Sequence, residues 1–159
     1  MTAKFAELIP ALVNGGVQFI VIGGFAGIVH GSARVTYDVD LVYSRADENI
    51  KRLAETLALH APYLRDAPPG LPFSFDAPTI RRGLNFTLTS DLGDIDLFGE
   101  LPGGTTYFDL RPNSFEIEAF GVSFECIDLP TLIRIKEAAG RPKDLEAVAE
   151  LRVLLQERK

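Results

Sequence analysis

Gly23-Gly24 and Asp38-Val39-Asp40 stand with thirteen residues between them, each beside an apolar run, and together they read as a phosphate-and-metal site. The run Phe19-Ile20-Val21-Ile22 predicts a buried strand, so the glycines fall at its end and open a short helix over 25–30. Glycine lets the backbone come close to a phosphate, and the unpaired N–H groups of a helix's first turn point at an anion. Asp38 and Asp40 lie two residues apart at a strand predicted over 39–43, so both face one side with Cα atoms roughly 6.5 Å apart. Two acids so placed repel each other until a hard cation removes the repulsion. Such a pair can share divalent ions about 3.5 to 4 Å apart, as in two-metal phosphoryl-transfer sites. Mg2+ fits, because it prefers oxygen ligands, retains water and is completed by substrate phosphates; Mn2+ is the alternative. An isolated Asp-x-Asp also describes an exposed polar strand face.

A third acid sharpens the pattern. Gly93-Asp94-Ile95-Asp96-Leu97-Phe98 predicts another short strand in which acids alternate with apolar residues. Asp96 has Ile95 and Leu97 on either side, the setting of a carboxylate delivered from a buried strand, and it is preferred. Asp94 shares its face by the period of two and remains the alternative.

Gly-Gly, thirteen residues, Asp-x-Asp and a later Asp between apolar residues resembles the DNA polymerase beta superfamily of nucleotidyltransferases. Within it, Gly23-Gly24-Phe25-Ala26, His30-Gly31, Arg34, Thr36 and Asp38-Val39-Asp40-Leu41 most resemble the AbiEii-type branch of bacterial toxin-like nucleotidyltransferases. The tail from Leu132 to Leu145, with Lys136, Arg141 and Asp144, is similar to that branch's helical Lys and Arg-x-x-Asp segment. The likeness runs from about residue 17 to the C-terminus, with little recognisable sequence in the middle. One departure stands out: many superfamily members carry Gly-Ser where this chain has Gly23-Gly24, so only backbone donors are expected there.

The resemblance implies an α+β fold, a small mixed or antiparallel sheet flanked by helices, with further helices at the C-terminus. It implies metal-assisted transfer of a nucleoside monophosphate from a nucleoside triphosphate to an acceptor hydroxyl, with pyrophosphate leaving. Asp38 and Asp40 would hold one ion on the triphosphate, and with Asp96 a second at the acceptor, whose proton Asp96 could take. Gly23 and Gly24 would hold the phosphates, and Lys136 would offset charge on the leaving pyrophosphate. Lys136 also fits a solvated helix face, and Arg34 either touches phosphate or pairs with one of the two carboxylates four and six positions on. The implied acceptor is a protein side chain, an RNA end or a small hydroxylated compound, in a toxin–antitoxin-like setting. The rival reading is a nucleotide-binding or partner-binding module without turnover. A phosphohydrolase would want metal-binding histidines, and His30 and His60 are poorly placed for that.

Composition agrees with one small domain, residues 1–159, whose C-terminal helical segment begins at about 129. The single cysteine, Cys126, excludes an intramolecular disulfide and sits in a strand pattern, where it should be inert. No run approaches the roughly 20 apolar residues of a membrane span, and no signal-peptide pattern opens the chain, so cytoplasmic residence is expected. Residues 1–131 hold 9 basic and 17 acidic residues, whereas 132–159 hold 7 and 5. The acidic body suits metal capture, and Lys136, Arg141 and Lys143 offer a local cluster for phosphates but no extended nucleic-acid groove. A chain this small could also need a protein partner or a second copy, as a homodimer, to complete the acceptor site.

The elements that must position these residues follow from periodicity. Helices are predicted at about 3–14 and 25–30, and strands at 17–22 and 39–43. A helix N-capped by Asp47 carries Ile50, Leu53, Ala54, Leu57 and Ala58 on one face and ends by Pro62. Residues 62–83 hold five of the ten prolines and predict an irregular crossing loop. Strands at 84–90 and 94–98 precede a second loop at 99–114; these two loops, or a partner, would set selectivity. Phe120-Gly121 joins strands 115–119 and 122–127 as a hairpin, and helices at 129–138 and 142–157 close the chain, with Pro142 in a first turn.

Overall fold

The computed structural model describes residues 2–158. Its core is a mixed sheet flanked by helices, an α+β arrangement. Strand β1 (Phe19–Ile22) leads straight into helix α2 (Gly23–Val29), and both follow helix α1 (Phe5–Asn14). Strand β2 (Val39–Tyr43) then precedes helix α3 (Asp47–Ala58), the two-residue strand β3 (Tyr63–Leu64) and helix α4 (Ala77–Arg82). Strands β4 (Asn85–Thr89) and β5 (Ile95–Phe98) come next, followed by helix α5 (Tyr107–Leu110) and a 3₁₀ turn at Arg111–Asn113. The hairpin β6 (Ser114–Ala119) and β7 (Val122–Ile127), then helices α6 (Leu129–Ala139) and α7 (Pro142–Glu157), complete the chain.

The strand order is β3-β4-β5-β2-β1-β7-β6. The centre of the sheet is the informative part. There β2 runs antiparallel to β1 and parallel to β5, and Asp40 stands opposite both Ile22 and Asp96. Strand β1 is buried along its whole length, as the unbroken Phe19-Ile20-Val21-Ile22 run requires of a strand covered on both faces. A buried hydrogen-bond clamp fixes the register of this centre. Asn49 accepts from the Gln18 N–H at 2.6 Å and donates to the carbonyls of Gln18 at 3.0 Å and Ser44 at 2.8 Å. One side chain on α3 therefore ties the start of β1 to the end of β2.

Several expected elements take a different form. Helix α2 begins at Gly23 itself, two residues before the expected start. Asp47 lies inside the first turn of α3, with Ala46 at the capping position, and binds Arg81 Nε at 2.6 Å instead of capping the helix. The segment 62–83 holds β3 and α4, and 99–114 holds α5 and the 3₁₀ turn, where irregular loops are expected. These pieces are too short to show a period, and their support is tertiary or local. Asp76 caps α4 through the Thr79 N–H, and Arg45 donates to the Ile80 and Arg81 carbonyls at its end. The hairpin turn has Phe120 and Gly121 both at positive φ, 57° and 79°, the geometry that matches strand twist. At the C-terminus Gly140 is left-handed at φ 67°, stopping α6, and Pro142 opens α7. No helix among the described residues is long and apolar enough to cross a membrane.

Candidate active site

The register of β2 and β5 makes the acid cluster. Because Asp40 and Asp96 are Cα partners on adjacent parallel strands, their side chains emerge side by side on one face. Asp38, two residues before Asp40, emerges on that face as well. One carboxylate oxygen from each of Asp38, Asp40 and Asp96 lies within 4.8 Å of the other two. Asp94 stands apart from this trio and has a carboxylate oxygen 3.5 Å from Arg65 Nε.

Burial and crowding raise the proton affinity of Asp38, just before β2, and of Asp40 on it. Burial, then a hydrogen bond and the negative charge of Asp96, pushes the Asp38 carboxyl up to about 6, with Arg65 acting in the opposite sense. Asp40 is raised well above the ordinary carboxylate range, first by burial and then by the charge of Asp38 and by Asp96, against the pull of Lys136. Three carboxylates crowded this closely are a donor set for a hard cation. Asp96 Oδ1 is moreover buried and accepts no hydrogen bond, although Arg65 Nη1 stands 3.1 Å from it. The residues present thus fit a divalent ion held by Asp38, Asp40 and Asp96.

Helix α2 abuts the cluster. Gly23 has φ +69°, and a Cβ there would lie 2.0 Å from Asp40 Oδ2, so only glycine lets the helix start against that carboxylate. A Cβ at Gly24 would lie 2.6 Å from Thr36 Oγ1. Thr36 thus fills the space that a side chain at 24 would take, and it presents a hydroxyl beside the glycines where backbone donors alone are expected. The sequence names Thr36 among the motif residues but gives no sign of its packing over Gly24.

A cleft of about 270 Å³ opens on this side, between the loop after α2 and the pair α6 and α7. Asp38, Asp40, Thr36, Lys136, Arg141 and Lys143 are among its lining residues. Lys136 is half-buried, and burial holds its ammonium below the usual lysine range, against the raising effect of Asp144 and Asp40. Asp144 is buried at the start of α7, where it accepts from the Arg141 N–H at 3.2 Å and Arg141 Nε at 2.7 Å. Arg34 lines the cleft but pairs with Glu146 at 3.5 Å, not with the carboxylates four and six positions on. Tyr37 is 65% exposed on the cleft wall, whereas Tyr43 is fully buried.

The largest omission of the sequence reading is Arg65. It follows β3, its side chain is only 19% exposed, and Nη1 lies 3.1 Å from Asp96 Oδ1 and 3.7 Å from Asp38 Oδ2. A two-residue strand in a proline-rich segment gives no periodic signal that could have found it. Neither histidine joins the site. His30 is buried, binding the Ile127 carbonyl through Nε2 at 2.8 Å and meeting Arg158 at Nδ1, and burial lowers its basicity. Cys126 is buried, and burial alone pushes its thiol up to about 12, which fits an inert residue.

Among solved structures, the lincosamide antibiotic adenylyltransferase LnuA, in its lincomycin-bound form, matches with a TM-score of 0.65 at 11% identity. The match covers 97% of this chain and 99% of that one. A nucleotidyltransferase candidate from Thermotoga maritima matches with a TM-score of 0.55 at 18% identity, over 95% of this chain and 89% of that one. No protein-family model and no curated protein matches the sequence. The chain has the nucleotidyltransferase fold, with the acid cluster at the centre of its sheet.

Proposed function

We propose that this protein is a divalent-metal-dependent nucleotidyltransferase, Mg2+ being the natural ion, that moves a nucleoside monophosphate from a nucleoside triphosphate to an acceptor hydroxyl. The observation that carries this reading is the meeting of Asp38, Asp40 and Asp96 within 4.8 Å beside a cleft that Lys136, Arg141 and Lys143 also line. The fold shared with LnuA along nearly its whole length supports it. When bound, the metal would offset phosphate charge and lower the pKa of the acceptor hydroxyl.

The chain's own residues divide the remaining work. Asp38 and Asp40 orient the triphosphate end of the cleft. Asp96, on the neighbouring strand, accepts the proton of the hydroxyl. Lys136 and the backbone of Gly23 and Gly24 hold the phosphates, with the Thr36 hydroxyl beside them, and Lys136 offsets charge on the pyrophosphate as it leaves. Arg34, tied to Glu146, reaches phosphate from the cleft's rim. The whole chain acts as one catalytic domain.

LnuA is named for a lincosamide acceptor, and this chain matches nearly all of it, which makes small hydroxylated compounds the first acceptor class to screen. The AbiEii-type motif supports a cytoplasmic toxin–antitoxin-like role, with a protein side chain or an RNA end as acceptor. A non-catalytic nucleotide-binding module is the second reading, and the observation that favours it is the Arg65 guanidinium against Asp96 and Asp38. Incubation with each α-labelled nucleoside triphosphate, Mg2+ and an acceptor panel separates the readings. Label joined to an acceptor, and lost in Asp96→Asn, supports transfer; binding without turnover across the panel leaves the module.

A further inference from the structure

Among the described residues, Arg65 alone makes ion pairs with the acid trio, and its geometry is unusual. Two neutral carbonyls hold its seat, with Asp94 Oδ2 3.5 Å from Nε: Nη2 donates to the Leu88 carbonyl at 2.8 Å, and its backbone N–H donates to the Thr87 carbonyl at 3.1 Å. Toward the acids the contact is close but unaligned. Nη1 stands 3.1 Å from Asp96 Oδ1, yet that oxygen accepts no hydrogen bond, and Arg65 Nε donates none. An arginine locked to a carboxylate makes two parallel hydrogen bonds, which fix position as well as charge. Here the charge is supplied without the lock.

The oxygens that Arg65 faces are the ones a divalent ion would need on the Asp96 side. Asp40 is outside its ion-pairing reach, so the Asp38–Asp40 position next to the cleft meets it least. A guanidinium within 4.0 Å of both Asp38 and Asp96 and an ion on those same oxygens repel each other at short range. We propose that Arg65 is a stand-in cation. It neutralises the Asp96 side of the cluster in the metal-free protein and turns away when a divalent ion takes Asp38 and Asp96. This inference rests on the metal site proposed above and concerns what regulates its filling.

Mn2+ binding followed by electron paramagnetic resonance, without nucleotide and at about pH 8, tests it on the native chain and Arg65→Gln. Removing the guanidinium should tighten Mn2+ binding by roughly tenfold or more, since the ion no longer competes with a fixed charge. Native binding with equal or weaker binding in Arg65→Gln overturns the inference and leaves the metal site standing. No Mn2+ bound by either protein removes the metal site and the inference together. A second measurement needs only the native fold: modification of Arg65 by phenylglyoxal, read by peptide mass. Mn2+ should accelerate modification as the side chain is released, and Asp38→Asn should abolish the acceleration. Slower or unchanged modification with Mn2+ bound overturns the inference.

Discussion

The two flanks of the acid cluster both carry positive charge, but they hold it differently. On the cleft flank Lys136 projects from α6, an eleven-residue helix, and makes no ion pair with a described residue. On the other flank Arg65 follows a two-residue strand and lies in contact with Asp38 and Asp96. A charge held back from the carboxylates biases them electrostatically and leaves room for a ligand. A charge placed in contact neutralises them and fills that room. The cleft flank is therefore built to receive an anion, whereas the Arg65 flank is built to tolerate the absence of a cation.

The strongest way to break the comparison is to remove an acid common to both flanks. Asp40→Asn should lower nucleotide transfer by about 10³ or more, because a neutral amide cannot replace a shared metal ligand. The metal-free variant should melt higher than the native chain, since a buried, repelled carboxylate is gone. Initial rates with labelled nucleotide and a thermal scan check both; transfer within tenfold of native would move the chemistry elsewhere.

Lys136→Ala tests the cleft flank alone. Transfer should fall by about 10², the effect of losing one preorganised charge at a leaving group, while Mn2+ binding stays within a few-fold of native. Arg65→Gln should do the reverse and tighten Mn2+ binding. If both variants moved Mn2+ affinity in the same direction, the two flanks would be electrostatically equivalent and the comparison would collapse.

Gly23→Ala probes the backbone that separates the flanks. Its Cβ would meet Asp40 Oδ2 at 2.0 Å in a backbone conformation of φ +69°. Strain there should cost about 2 kcal/mol of stability, and Asp40 must move to relieve it. Denaturant unfolding measures the loss. A stability loss with unchanged Mn2+ affinity would show that Asp40 is not displaced.

The same contrast explains what the sequence reveals. Strand β2 is legible to the residue, because Val39, Leu41 and Val42 are apolar around Asp40 and a strand in the middle of a sheet shows its pattern in full. Helices α6 and α7 are legible from Gly140 and Pro142, whose backbone preferences act locally. Alternation puts the acids of the cluster, all on or beside such strands, on one face, but it leaves Asp94 beside Asp96 as the alternative third carboxylate. Arg65 cannot be placed this way. Its position depends on β3 pairing with β4, where Leu64 meets Leu88, and on a carbonyl 23 residues away along the chain. Thr36 is hidden for a related reason: its place over Gly24 comes from the path of the loop between α2 and β2, and loop paths carry no period. Local chemistry shows in the sequence, and packing between distant short segments does not.

The smallest effect is also the most diagnostic, because one carboxyl should drive two opposite pH trends. Asp38 titrates near 6 in the folded protein, above its ordinary value of 3.8. The folded state therefore keeps a proton that the unfolded state has released, and Asp38's contribution to metal-free stability should fall as pH rises from about 4 to about 6, then level off. With its side chain 35% exposed, the contribution is about 1 to 2 kcal/mol after discounting for solvent screening. Mn2+ requires the ionised form, so the stabilisation it confers should grow through that same window and beyond it. Thermal scans from pH 5 to about pH 8, with and without Mn2+, should give curves that diverge as pH rises. Asp38→Asn should make the metal-free curve shallower between about pH 5 and 6 and remove most of the divergence. A metal-free curve that rises with pH through this window would mean that Arg65 outweighs burial and Asp96 at this carboxyl. The Arg65 flank would then be a permanent ion pair and not a provisional one.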